Sequence, residues 1–183
     1  MRRVKLKWTV LVALMLCSVL LYRQAVLVRW LLLTKQCPGC DLNGANLFGA
    51  DLQGANLRAA NLGNANLSEV NLQGSNLTAT ILERADLSLS NLTNAGLVGA
   101  NLRLANLSGA SLISANLQDA ELRQSNLQFA DLQDANLSGV DLRQVELYGV
   151  NLLHTTRVGT ILPERPSQLD IQHRTLDFKP QYP

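Results

Sequence analysis

From Leu42 to Leu152 a leucine stands at every fifth position without exception, twenty-three in succession. An α-helix repeats its face about every 3.6 residues and a strand about every two, so neither carries a period of five continuously. The chain must therefore turn once per repeat. Two residues before each leucine sits a small or short residue: Cys40, Ala45, Ala50, Ala55, Ala60 and Ala65, then Val70, Ser75, Thr80 and Ala85, ending in Val140, Val145 and Val150. The residue just before the leucine is usually Asn or Asp, as at Asn46, Asp51, Asn56 and Asn61. If the leucine and the small residue both point inward, each pentapeptide is one short edge of a closed coil. Asn, Asp and Gly then serve the corners, because they tolerate turn conformations. Stacked coils fill their interior with leucine columns and alanine between them, which leaves no cavity and a slot too narrow for a bulky or charged side chain.

An apolar content of 47% would suit an ordinary globular core, but aromatic residues make up only 4% and charged residues 16%. Such bias goes with repeats. The pattern A-(N/D)-L-x-x, written here as Ala45-Asn-Leu-Phe-Gly49 and Ala50-Asp-Leu-Gln-Gly54, resembles the pentapeptide-repeat family over roughly 115 of the 183 residues. The resemblance implies an all-β solenoid, a right-handed quadrilateral β-helix with four pentapeptides per coil. The frame breaks at Arg157 and recovers once at Thr160-Ile-Leu162 before Pro163. The expected organisation is a β-helix over 40–162, with regular repeats at 40–154, and a loosely ordered tail over 163–183.

Ahead of the repeats, Arg2, Arg3, Lys5 and Lys7 precede fifteen uncharged residues, Trp8 to Tyr22. Residues 1–23 read as a basic n-region and a transmembrane signal anchor, with membrane contact through residues 8–22. No small-x-small pattern follows the apolar run, which favours an anchor over a cleaved signal peptide. Residues 24–39 read as a short capping helix and linker, with Val26, Trp30 and Leu33 at helical spacing, laid over the first coil to cover its edge. The stretch from Leu32 to Leu42 is similar to the opening segment of membrane or exported cyanobacterial members of the family. More positive charge lies before the span than after it, so the expected localisation is a single-pass membrane protein with its repeats on the non-cytoplasmic side, in a periplasm or thylakoid lumen.

Net charge is +2, yet residues 1–39 hold seven Lys or Arg and no acid, whereas 40–154 hold eleven acids against five Arg, a balance of −6. This division reads as membrane targeting and gives no nucleic-acid surface.

Cys37-Pro-Gly-Cys40 admits redox chemistry, half a metal site or a local disulfide. A zinc site needs two further ligands, and His154 and His173 lie at the other end of the repeats. Redox work needs an exposed thiol, but Cys40 occupies an inward slot. A disulfide pinning the cap is the favoured reading in an oxidising compartment, and two small reduced residues the bland one. On a coil of four repeats, residues twenty apart stand above one another, so Arg103, Arg123 and Arg143 share an outward column with Arg84 beside them. Glu121 and Asp141, two residues before Arg123 and Arg143, share that side and make a charge-paired face, or else the column grips an anion. Phe48, Leu89, Phe129 and Tyr148 face outward elsewhere, too widely spaced for one patch. Tyr148 and Leu153 lie near the last open edge, which a homodimer through the C-terminal coil would cover.

No catalytic set is visible: there is no serine elbow, no phosphate-cradling glycine loop, and neither histidine has a carboxylate partner at suggestive spacing. No cofactor or metal is expected. The function read from the sequence is a non-catalytic structural or protein-interaction module on a membrane, with an unidentified protein partner. A DNA-mimicking topoisomerase-binding module is the alternative the family suggests, and thiol-redox chemistry at Cys37 and Cys40 is the other.

Overall fold

The computed structural model describes residues 24–163. A single helix, α1 (24–34), leads into a stack of coils in which isolated parallel bridges recur at every fifth residue from Gln36 to Ile161. Each bridge joins a residue to the one twenty positions on, as Asn46 to Asn66 and Asn66 to Asp86, so four pentapeptides make one coil and the rod is four-sided. Among the described residues no continuous strand forms, because the chain turns again after each bridge. With about six coils rising roughly 4.8 Å each, the stack is on the order of 30 Å long.

One repeat shows how the local chemistry works. Leu47 donates its N–H to the Asn66 carbonyl at 2.8 Å, and Asn66 donates to the Ala45 carbonyl at 2.9 Å. Gly49 donates to the Ser68 carbonyl at 3.0 Å, and Ala50 closes the turn on the Leu47 carbonyl at 3.0 Å. The second turn residue takes positive φ, from Gly39 to Gly159, and most often it is not glycine: Ala59, Glu69 and Arg84 all adopt it. Asn and Asp stand at the bridge positions, one step before the corner. There the side chain accepts from the N–H two residues on, as Asn46 Oδ1 does from Phe48 at 3.2 Å. It can also bond the neighbouring coil, as Asn61 Nδ2 donates to Asp41 Oδ1 and Asn151 Nδ2 to Asp131 Oδ1.

The core is one cluster, the leucine columns plus the small slots, and Leu31 of α1 belongs to it. Leu27, Val28 and Leu31 face the first coil, whereas Val26, Trp30 and Leu33 are 49%, 57% and 75% exposed. The helix caps the coil, but through the stripe next to the one that helical spacing suggested. Gln24 Nε2 donates to the Asn43 carbonyl at 2.8 Å, and the Lys35 carbonyl accepts from Asn56 at 2.8 Å. The Lys35 ammonium bonds the Asp51 carbonyl and lies 3.5 Å from its carboxylate.

The localisation read from the sequence is corrected here. Among the described residues no helix is long and apolar enough to cross a membrane. The eleven residues of α1 span about 16 Å against a hydrocarbon core of roughly 30 Å, and one apolar face is used on the first coil. Residues 1–23, with the anchor read at 8–22, and the tail from 164 onward lie outside the described residues.

The ladder has one gap. Every step from 36/56 to 141/161 is bridged except Glu121 with Asp141. The bonds from Leu122 N–H to the Asp141 carbonyl and from Asp141 N–H to the Ala120 carbonyl, present at every equivalent step, are missing, and Gln124 reaches the Gln144 carbonyl instead. Gln144 is the one second turn residue between Gly39 and Gly159 without positive φ. At six other steps an Asn amide donates to the stacked bridge side chain; here two carboxylates stack, and like charges opposed across a sheet separate it.

Candidate binding surface

The register places the side chains that the sequence singled out. The turn pairs 43/44, 63/64, 83/84 and onward to 143/144 make a first corner, and those from 48/49 to 148/149 a second. Arg103, Arg123 and Arg143 follow one another up the first corner, with Arg84 bonded backbone to backbone beneath Arg103 at 3.0 Å. Arg84, Arg123 and Arg143 are exposed, and Arg103 is half-buried.

The expected charge pairing holds at one step only. Arg143 forks onto Asp141, Nε to Oδ1 at 3.0 Å and Nη2 to Oδ2 at 2.7 Å, while its backbone N–H adds a third bond at 3.1 Å. These bonds, the fork first, hold the Asp141 carboxyl down at about 2, below its ordinary 3.8. Among the described residues Arg84, Arg103 and Arg123 make no ion pair, and neither does Glu121. Glu83, one coil below Arg103 in the same column, is the acid that sequence reasoning missed. A step of twenty back from Arg103 would have found it.

Cys37 and Cys40 are joined by a disulfide across the Pro38-Gly39 turn, with their Cα atoms 5.3 Å apart. Cys37 fills a leucine slot beneath α1 and Cys40 the small slot after it, inside the first coil. Among the described residues no group of three or more His, Cys, Asp or Glu could hold a metal. His154 Nδ1 lies 3.4 Å from Asp134 Oδ1, an ion pair when the imidazole is protonated.

The second corner departs from expectation. Leu89 and Phe129, 65% and 63% exposed, do not stand as isolated bumps. Each lies along the rod axis over the glycine of the next coil. A Cβ on Gly109 would stand 2.8 Å from Leu89 Cδ2, and one on Gly149 2.6 Å from Phe129 Cδ1. The Tyr148 ring meets Phe129 edge-on at 5.4 Å. Leu89, Phe129 and Tyr148 thus form a strip down one corner, whereas Phe48 stays two coils away from Leu89 and Leu153 sits on the third corner. The signal was available in the sequence as a glycine twenty positions after each apolar residue.

The family profile described as "Pentapeptide repeats" matches in eight copies, over residues 40–78, 71–109, 90–128, 105–144 and 125–156. This chain belongs to the pentapeptide-repeat family. Among solved structures it is similar to HetL, a pentapeptide repeat protein involved in heterocyst differentiation regulation from the cyanobacterium Nostoc sp. strain PCC 7120. The identity is 32% over 70% of this chain and 64% of that one, with a TM-score of 0.48. It is also similar to Rfr23 from the cyanobacterium Cyanothece 51142, at 33% identity over 74% and 96% of the two chains with a TM-score of 0.40. A pentapeptide repeat protein from the Arabidopsis thaliana thylakoid lumen is 27% identical over 61% and 68%, with a TM-score of 0.33. This chain spans 64% of the length of the Nostoc protein. No curated protein matches it.

Proposed function

We propose that this chain is a non-catalytic protein-interaction module, a right-handed rod whose first corner presents Arg84, Arg103, Arg123 and Arg143 to an anionic surface on a protein partner. The observation that carries the reading is the register: successive coils bring Arg103, Arg123 and Arg143 to the same corner, a bridge at Asn101–Glu121 ties the first two coils there, and only Arg143 is neutralised by an ion pair. Guanidinium groups spaced by about 4.8 Å repel one another unless anions intervene, so a carboxylate-rich partner face relieves the column while it binds.

The Arg103→Gln, Arg123→Gln, Arg143→Gln triple variant should stay folded, with stability altered by no more than roughly 1 kcal/mol, because exposed ion pairs contribute little. It should lose partner recovery in a pull-down, and recovery by the parent should fall steeply as salt rises. Equal recovery by both proteins at low and high salt would remove the column from the binding surface.

A further inference from the structure

The second corner carries a different kind of surface. Along residues 45–54 and their equivalents in later coils, every charged side chain is an acid: Asp51, Glu69, Asp86, Asp131, Asp134 and Glu146, with no Lys or Arg. Asp51 is engaged by Lys35, and Asp134 faces His154. The apolar strip of Leu89, Phe129 and Tyr148 runs down this acidic side.

The matching surface is on the same chain. Val26, Trp30 and Leu33 form an exposed stripe on the outer face of α1, Arg29 is exposed beside them, and no acid occurs between residues 24 and 35. The lengths agree. Val26 to Leu33 is seven residues, roughly 10.5 Å of helix, and Leu89 to Phe129 is two coils, roughly 9.6 Å. Within one molecule the two surfaces cannot meet, because Gln24 on Asn43 and Lys35 on Asp51 hold α1 over the first coil with the stripe turned outward.

We propose that the outer face of α1 docks on the second corner of another copy of this chain, Trp30 against the Leu89–Phe129 strip and Arg29 towards the acids that flank it. The contact joins two unlike patches, so it is heterologous and leaves one patch of each kind free, which builds rings or open chains instead of a closed symmetric dimer. It does not depend on the arginine column.

The test uses the full chain in sedimentation velocity over a wide concentration range. The parent should grow in mass with concentration, less so at high salt. Two double variants, Trp30→Ser with Leu33→Ser and Leu89→Ser with Phe129→Ser, alter exposed side chains and should melt like the parent by circular dichroism. Each alone should associate at least about tenfold more weakly, since truncating central aromatic anchors removes most of the attraction at such contacts. Mixed in equal amounts they should form a one-to-one complex, because one supplies the intact corner and the other the intact helix. The proposal is overturned by a parent that stays monomeric throughout, by a mixture that does not associate, or by assembly persisting in either double variant. A dimer retained by both variants and lost with Leu153→Glu would assign association to the C-terminal end instead.

Discussion

At the head of the rod, α1 lays Leu27, Val28 and Leu31 on the first coil, Lys35 ties its backbone to Asn56 and its ammonium to Asp51, and a disulfide closes the first turn. Among the described residues nothing equivalent covers the last coil. Arg157 stands in a leucine slot, Val158 and Ile161 are exposed, and all four turn-closing bonds at Val145, Val150, Thr155 and Thr160 stretch to 3.3–3.4 Å, against 2.9–3.2 Å in mid-rod and a single 3.3 Å bond at the disulfide turn of the head. One coil below that end, the ladder opens between Glu121 and Asp141. In a stack where each coil touches only its neighbours, stability is a sum of coil and interface contributions, so an end frays according to its own cover and its nearest interface. The head is tied down by side chains from outside the repeat. The tail rests on an interface with one rung missing, and the difference comes from a handful of residues, because the leucine columns are continuous through both.

The largest effect separates the middle from the end. Leu97→Asp buries a charge without a partner between coils and should cost about 3–5 kcal/mol, removing the cooperative melt seen by circular dichroism. Leu147→Asp, the same change near the end of the described coils, should cost roughly half as much and leave a melt, since only the end need come apart. Equal damage would erase the contrast between interior and tail.

Removing the cover should make the head behave like the tail. Leu31→Ala truncates a fully buried side chain and should cost about 2–5 kcal/mol in a urea titration, with amides of the first coil losing protection. A loss of only a few tenths would mean that α1 does not cap the rod.

The interior can also be made firmer. Ser75 and Ser90 each bury a hydroxyl with no hydrogen-bond partner in a slot where most repeats hold alanine. Ser75→Ala and Ser90→Ala should each raise stability by about 1 kcal/mol, sharpening the difference between middle and ends. Ser125→Ala should not, because Ser125 Oγ donates to the Leu122 carbonyl at 2.7 Å. A gain as large at Ser125 as at the other two would sink this account of the small slots.

The smallest effect should come from acid acting on the Asp141–Arg143 pair. The carboxyl of Asp141 is held at about 2, below its ordinary 3.8, so the folded state takes up its proton at lower pH than the unfolded chain does. Its contribution is present above about pH 4 and is lost as pH falls towards 2, where the Arg143 fork lets go. Solvent screens this exposed pair, so the change in melting temperature should be small and should vanish in Arg143→Gln. A parent and variant that keep the same offset down to pH 2 would contradict it.

Much of this was written in the sequence. The fifth-position leucine with its small partner two residues earlier set the inward columns; every leucine from Leu42 to Leu152 is buried, and so are the small partners apart from Cys40, Ala50 and Val150, which are partly buried. The twenty-residue register came from the family resemblance, because a period of five says how often the chain turns and nothing about how many turns close a coil. Three features lay beyond both. The face of α1 that meets the coil could not be read from Val26, Trp30 and Leu33, because Leu27, Val28 and Leu31 form an equally apolar neighbouring stripe. The strip at Leu89 and Phe129 depends on side chains lying down over Gly109 and Gly149, a relation across coils. The missing rung at Glu121 and Asp141 needs the stacking partner of each carboxylate, which local spacing hides: two residues before an arginine, each acid reads as that arginine's own partner.

The contrast between a tied head and a loose tail is tested most directly by native-state hydrogen exchange resolved along the chain. Amides from Cys37 to Gly44 should be protected nearly as well as those of mid-rod, whereas the segment C-terminal to Asp141 should open as one unit at clearly lower free energy, with Leu122 exchanging alongside it. In the double variant Glu121→Asp, Asp141→Asn, which recreates the Asp131–Asn151 arrangement, that boundary should fade as the amide bonds the carboxylate below. Uniform protection from Cys37 through Ile161 in the parent, or a head that opens before the tail, would contradict the account.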